Sequence, residues 1–124
     1  MMTFDINPVP KGRPRTTKAG HVYTPAATRA FEAAICVMTR QQWRGPLFTG
    51  AVSFRAVFYL KRPKSSRRKY PSVKPDWDNL GKSVSDGIEK AGCVFVNDSQ
   101  ICRSDVSKVY SERPRIEVTI SEMD

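Results

Sequence analysis

Polar and apolar side chains alternate most regularly from Val52 to Leu60, where Val52, Phe54, Ala56, Phe58 and Leu60 take one side and Ser53, Arg55, Val57 and Tyr59 the other. A period of two predicts a half-buried strand. Ile116, Val118 and Ile120 alternate in the same way within a strand predicted over Arg115 to Glu122, and another is predicted over Ile101 to Tyr110, across a turn at Glu112 to Pro114. Phe4 and Ile6 alternate more weakly in a short first strand over Thr3 to Asn7, which Pro8 and Pro10 end. Two stretches repeat at helical spacing instead. Thr24-Pro25 offers a capping hydroxyl and a proline at the first helical position, so a helix is predicted from there to about Arg44, where Gly45-Pro46 stops it. Its apolar stripe is Ala27, Phe31, Ala34, Ile35 and Met38, with Arg29, Arg40 and Arg44 on the polar side. A second helix is predicted from Asn79 to about Ala91, with Leu80, Val84, Ile88 and Ala91 inward and Gly92 at its end. Four strands and two helices in this order predict an α+β domain, a small mixed four-stranded sheet carrying two main helices.

Residues 1–124 are expected to form one domain, whose apolar surface a second copy would help to cover. No run approaches the roughly 20 apolar residues of a membrane span, and Met1-Met2-Thr3-Phe4-Asp5 lacks a signal-peptide pattern, so a soluble cytoplasmic protein is expected. Cys36, Cys93 and Cys102 include no Cys-x-x-Cys pair and read as reduced thiols. With His21 the only histidine, zinc held by several imidazoles is excluded, and any Ser/His/Asp or Cys/His triad would rest on that one loop residue.

Charge changes the picture more. The chain has 21 Lys and Arg against 12 Asp and Glu, a net +9. Residues 1–75 hold 15 basic and 2 acidic side chains, whereas 76–124 hold 6 basic and 10 acidic. Such segregation fits a polyanion gripped by one part of the chain and worked on by carboxylates in another. Two stretches would do the gripping. Lys11-Gly12-Arg13-Pro14-Arg15-Thr16-Thr17-Lys18-Ala19-Gly20 reads as an irregular arm whose Lys11, Arg13 and Arg15 follow a phosphate backbone. In Lys61-Arg62-Pro63-Lys64-Ser65-Ser66-Arg67-Arg68-Lys69-Tyr70, the cations Lys64, Arg67, Arg68 and Lys69 would contact phosphates, and Tyr70 offers a face to an unstacked base. Lys74 is counted with them. A solvated loop is the alternative for either stretch.

The chemistry is expected in Lys74-Pro75-Asp76-Trp77-Asp78-Asn79-Leu80-Gly81-Lys82 and in Val96-Asn97-Asp98-Ser99-Gln100. Pro75 favours an extended approach, in which residues two apart share a side, roughly 6 to 7 Å apart. Asp76 and Asp78 would then converge, while on a continuous helix they would lie about 200° apart. Two carboxylates about 4 Å apart repel by roughly 4 kcal/mol at an effective dielectric near 20. Protonation, a nearby lysine or a bound cation would each offset that, and an all-oxygen ligand set suits Mg²⁺ or Mn²⁺. One aspartate alone would be explained as a helix N-cap. Asp78, Lys82, Asp86 and Lys90 also form a ladder at four-residue spacing, either ordinary helix ion pairing or a means of turning Lys82 towards a phosphate. Asp98 reaches Asp76 and Asp78 if the strand after the second helix pairs near that helix's start.

Lys74-Pro75-Asp76-Trp77-Asp78-Asn79-Leu80-x-Lys82, then Asp86 and Asn97-Asp98-Ser99-Gln100, resembles the RusA family of Holliday-junction resolvases, as does the stretch from Pro8 through Lys11-Gly12-Arg13-Pro14-Arg15 to Tyr23-Thr24-Pro25. The resemblance implies a homodimeric, Mg²⁺-dependent endodeoxyribonuclease, with Mn²⁺ as a possible substitute, that nicks opposing strands of four-way DNA junctions in recombination and repair. It implies metal binding by Asp76, Asp78 and Asp98, catalytic assistance from Lys82, and no small-molecule cofactor. Asn97 departs from the family's usual acidic pair. The competing readings are a non-catalytic basic DNA-binding protein and a metal nuclease for other branched DNA.

Overall fold

Every alternating stretch becomes a strand of one sheet in the computed structural model, which describes residues 1–124. The elements run β1 (Met2–Phe4), β2 (Arg15–Thr16), β3 (Val22–Tyr23), α1 (Ala26–Gln42), β4 (Val52–Lys61), α2 (Trp77–Ala91), β5 (Ile101–Ser111) and β6 (Arg115–Glu122). The main sheet has the order β1-β6-β4-β5. β6 pairs antiparallel with both β1 and β4, whereas β4 pairs parallel with β5, with α2 in the crossover between them. The sheet is therefore mixed, as predicted.

The β4–β5 register slips near its start. Val52 faces Ile101 but Ser53 faces Arg103, which leaves Cys102 as an extra residue on β5. β5 is an edge strand, and α2 packs against it.

Both helices serve one core. Phe31 and Ile35 of α1 and Leu80, Val84 and Ile88 of α2 bury against Phe54, Ala56 and Phe58 of β4, Ile116 and Val118 of β6, and Met2 and Phe4 of β1. The helices cross at Gly87, where a Cβ would lie 2.6 Å from the Ile35 Cβ and 2.7 Å from its Cγ2. Any larger residue there would push the helices apart.

Four expectations are corrected. The first strand ends at Phe4, because the Ile6 N–H turns back onto the Phe4 carbonyl (2.9 Å). α1 starts after Pro25 without a bond from Thr24, and its buried face is rotated to Thr28, Phe31, Glu32, Ile35 and Thr39, leaving Ala27 exposed. Polar residues enter that face because each finds a partner: the Thr39 hydroxyl donates to the Ile35 carbonyl (2.7 Å), and Glu32 accepts from two lysines. The basic arm is a hairpin rather than an irregular loop, with Arg15 opposite Tyr23 and Thr16 opposite Val22. Its Gly12 and Pro14 precede the paired residues, and Gly20, at φ 85°, serves the turn. Finally, α2 begins at Trp77, two residues early, with Asp76 as its N-cap residue.

Candidate active site

The start of α2 is fixed from two sides. Lys108 of β5 donates to the carbonyls of Val73 (2.8 Å) and Pro75 (2.9 Å), which docks the chain entering α2 onto the edge strand. On the other side, the Lys11 N–H donates to the Asn79 carbonyl (2.8 Å) and the Ser83 hydroxyl to the Val9 carbonyl. The arm is held on α1 as well, because the Gly12 N–H donates to the Thr28 hydroxyl (3.0 Å). A Cβ on Gly12 would sit 2.8 Å from that oxygen, so glycine permits the approach.

Because the helix begins at Trp77, Asp76 alone keeps the extended conformation, and the two acids separate. Asp76 opens with Lys11 and Lys74 onto a cavity of about 380 Å³. Asp78 opens with Trp77, Lys82, Ser85 and Ser104 onto another of about 180 Å³. Asp76 and Asp78 therefore do not lie on one extended segment, as expected, and they line different openings. Asp78 accepts from the Asn79 N–H (2.9 Å), a contact suited to the positive end of the helix. Neither Asp76 nor Asp78 forms an ion pair, although the chain carries 21 basic residues.

Lys82 goes elsewhere than the four-residue ladder suggests. Its ammonium bonds the Asp98 carboxylate and lies 3.0 Å from Asp86 Oδ1. Asp86 Oδ2 is 2.9 Å from Lys11, Lys11 is 2.7 Å from Glu32, and Glu32 also holds Lys90. Charges therefore alternate in one chain, Asp98–Lys82–Asp86–Lys11–Glu32–Lys90, which joins α1, the arm, α2 and the segment before β5. Within the ladder, only Lys82–Asp86 forms. The hydrogen bond that Lys82 donates to Asp98 holds its pKa well above lysine's usual value, against the opposing effect of burial and with further help from Asp86. Burial alone would lower the pKa of Lys11, but its bonds to Glu32 and Asp86 outweigh that and raise it.

Asp98 opens a single 3-10 turn, Asp98–Gln100, built by its neighbours. The Asn97 side chain accepts from the Ser99 N–H (2.9 Å), and the Gln100 side chain accepts from the N–H groups of Val96 (2.8 Å) and Asn97 (3.0 Å). This reciprocal arrangement is a capping box. The Gln100 amide then donates to the carbonyls of Phe48 and Gly50, both at 2.9 Å. Glu89 of α2 accepts from the Asp98 N–H (2.6 Å). Asn97 thus shapes the turn. The roles of Glu32, Glu89 and Lys108 had no signal in the sequence pattern, while the Asn97-x-x-Gln100 spacing was a readable cap.

In chemistry, the acids fit a hard divalent cation, since Asp76, Asp78 and Asp98 offer only oxygen and two of them lack a counter-charge. Their arrangement differs from the expectation: no three carboxylates, thiols or imidazoles lie close enough to hold one ion, because Asp98 is turned onto Lys82 and Asp76 opens on its own cavity.

Among the basic candidates, Lys11 is an anchor inside the charge chain, whereas Arg13 and Arg15 are exposed on the arm. The Lys61–Tyr70 stretch is fastened to β5, the Tyr110 N–H donating to the Lys69 carbonyl (2.9 Å) and the Arg62 N–H to that of Ser111 (3.3 Å). Arg67 and Arg68 line a cavity of about 410 Å³ with Ser65, Ser66 and Ser72. Lys64 is exposed, and Lys69 stands 5.4 Å from the Tyr70 ring centroid, already covering one face of that ring. Lys74 opens on the Asp76 cavity.

The family model described as "Endodeoxyribonuclease RusA" matches residues 5–121. The chain is 35% identical over 131 aligned positions to "Uncharacterized protein YqaN" of Bacillus subtilis (strain 168), an alignment covering 94% of this chain and 91% of that protein. It is also 35% identical over 66 positions to "Crossover junction endodeoxyribonuclease rusA" of Lactococcus phage r1t, covering 53% of this chain and 50% of that protein. No helix is long and apolar enough to cross a membrane.

Proposed function

The chain belongs to the RusA endodeoxyribonuclease family, and we propose on that footing that it is a divalent-cation-dependent nuclease that nicks opposing strands of four-way DNA junctions as a homodimer. The observation that carries the reading is the start of α2: two aspartates form no ion pair, and one of them, Asp78, shares a cavity with a lysine clamped to a third, in a chain of net charge +9. A purely structural cap would need one acid. Uncompensated carboxylates at a positively charged surface fit a site completed by a cation and a phosphodiester.

Asp76, Asp78 and Asp98 would hold the ion, Mg²⁺ in the cell. Asp98 would first have to leave Lys82, and Asp76 to turn towards Asp78. A divalent cation held by the three would supply neutralisation of the carboxylates and Lewis acidity towards a water and the scissile phosphate, and hydrolysis would leave 5′-phosphate and 3′-hydroxyl ends. Asp86, one helical turn away at 3.0 Å, keeps the ammonium at the site, where it stabilises charge developing on the phosphate. Arg13, Arg15, Arg67, Arg68, Lys69 and Lys74 would contact the DNA backbone and oppose its repulsion by the acids. A two-fold dimer would present two such sites to a nearly two-fold substrate, as paired nicking in recombination and repair requires.

The test is a panel of four-way junctions, flaps, single strands and linear duplexes, with and without Mg²⁺, for the native protein and Asp76→Asn. Mg²⁺-dependent nicking confined to the junction is expected, with Asp76→Asn retaining binding and losing cleavage. Cleavage by Asp76→Asn would end the metal-site assignment, and preferential cutting of flaps would replace the substrate.

A further inference from the structure

The cavity beside Asp78 is more than the mouth of a phosphate site. It is lined by Phe54 of β4, Ile101 and Val106 of β5, and Trp77 and Gly81 of α2, and it narrows at Gly81, where a Cβ would lie 3.4 Å from Val106 Cγ2. Gly81 contributes no side chain, and the bulge at Cys102 lies beside Ile101 at one end. Trp77 is 58% exposed, an indole left in solvent between two aspartates. Polar groups reach the cavity at its edges: Asp78, Lys82, Ser85 and Ser104. The Ser85 hydroxyl donates to the Lys82 carbonyl (3.1 Å) and so presents acceptor lone pairs, while the Ser104 hydroxyl has no protein partner.

We propose that this cavity between α2 and β5 binds one unstacked nucleobase of the strand held at Lys82, with Trp77 as its stacking surface and Ser85 and Ser104 at its hydrogen-bonding edge. The inference rests on the nucleic-acid reading above and names the part of the substrate that the site takes besides phosphate. Three properties favour a base. The volume, about 180 Å³, lies below the roughly 300 Å³ at which pockets for drug-sized ligands begin, and suits a single heterocycle. An apolar lining with an exposed indole supplies stacking, which every base accepts. Lys82 at the rim attracts the phosphate that tethers that base, so both ends of one nucleotide are served by neighbouring groups. Bases at a branch point are the ones most readily drawn from the stack.

A junction carrying 5-bromouracil at each central position in turn, irradiated with the protein in the absence of divalent cation, should crosslink to the peptide containing Trp77 from one position next to the branch. A matching linear duplex should not. An abasic site at that position should weaken junction binding by roughly tenfold, as should Trp77→Ala, in the range set by base–aromatic stacking. Ser104→Phe, which fills the cavity from the strand side, should give the same loss without changing the melting temperature by more than a few degrees. Crosslinking confined to other peptides, or junction binding indifferent to both the abasic site and Trp77→Ala, would overturn the proposal. So would a free protein in which a second copy covers Trp77, seen as an indole that acrylamide quenches only after dilution dissociates the dimer. Native protein that cuts junctions yet fails these tests would refute the base site alone. Crosslinking without Mg²⁺-dependent cleavage would uphold the base site and remove the nuclease.

Discussion

Glu32 is 1% exposed, and the lysines that hold it are not: Lys11 is 27% and Lys90 54% exposed. The clamp is therefore asymmetric, and removing either sign of charge should have different consequences. In Glu32→Met the buried carboxylate disappears, Lys11 keeps Asp86, Lys90 turns to water, and Met fills a similar volume. Replacing a buried ion by a hydrophobic isostere is often neutral or favourable, so the expected change in stability is no more than about 1 kcal/mol. In Lys11→Met/Lys90→Met the carboxylate stays buried with no cation. Leaving a buried charge unpaired costs about 3–5 kcal/mol. At about 4 °C per kcal/mol for a chain of this size, the double variant should melt some 10–20 °C below Glu32→Met. Urea unfolding followed by circular dichroism measures both. If Glu32→Met loses as much stability as the double variant, the clamp is a symmetric ion pair and the burial argument is wrong.

Four further outcomes follow from the same geometry. Asp86→Asn leaves Lys82 bound to Asp98 alone, so a divalent ion must compete with an undivided pair: Mn²⁺ binding, read by electron paramagnetic resonance without DNA, should weaken by about two- to fivefold, or roughly 0.4–1 kcal/mol, and an unchanged affinity would show that Lys82 does not guard Asp98. Gly87→Val should lower stability by about 1–3 kcal/mol through overpacking against Ile35, and a melting temperature equal to the native one would contradict the helix crossing. The hydrogen bond to Glu117 is the main cause that raises the Tyr59 pKa above its ordinary 10.0, with burial adding to it, so the Tyr59 phenol should ionise at a higher pH in the native protein than in Glu117→Gln, read by ultraviolet titration. Since the folded value is the higher one, stability from that bond is complete below the ordinary phenol pKa and is lost as pH rises through the folded value. Replacing Arg67, Arg68 and Lys69 by Ala should reduce the salt slope of DNA binding by up to about 0.9 per lost phosphate contact, and an unaltered slope would remove that loop from the interface.

The strands were legible because a period of two survives wherever one face of a sheet is buried, as Phe54, Ala56 and Phe58 show. The rotation of α1 was not, since hydrophobic spacing cannot report a glutamate buried by lysines 21 and 58 residues away. The hairpin of the arm was hidden by Gly12 and Pro14, which read as breakers but sit outside the two paired positions. Within the candidate site, the return of Asp98 to α2 followed from topology. That Asp98 would take Lys82 depended on side-chain geometry, and the separation of Asp76 from Asp78 turned on a helix starting two residues early. Lys108 was illegible, because a lysine that staples two carbonyls looks like any other strand lysine.

The sheet order β1-β6-β4-β5 places the last strand made between the first and the fourth. A nascent chain that has reached only Ser111 has no strand to join Met2–Phe4 to β4, and the core still lacks Ile116, Val118 and Ile120. Pairings between residues so far apart in the chain form late and together. A product truncated there would thus present β1 and the inner edge of β4 without their common partner, a sheet open along the seam that the last strand closes.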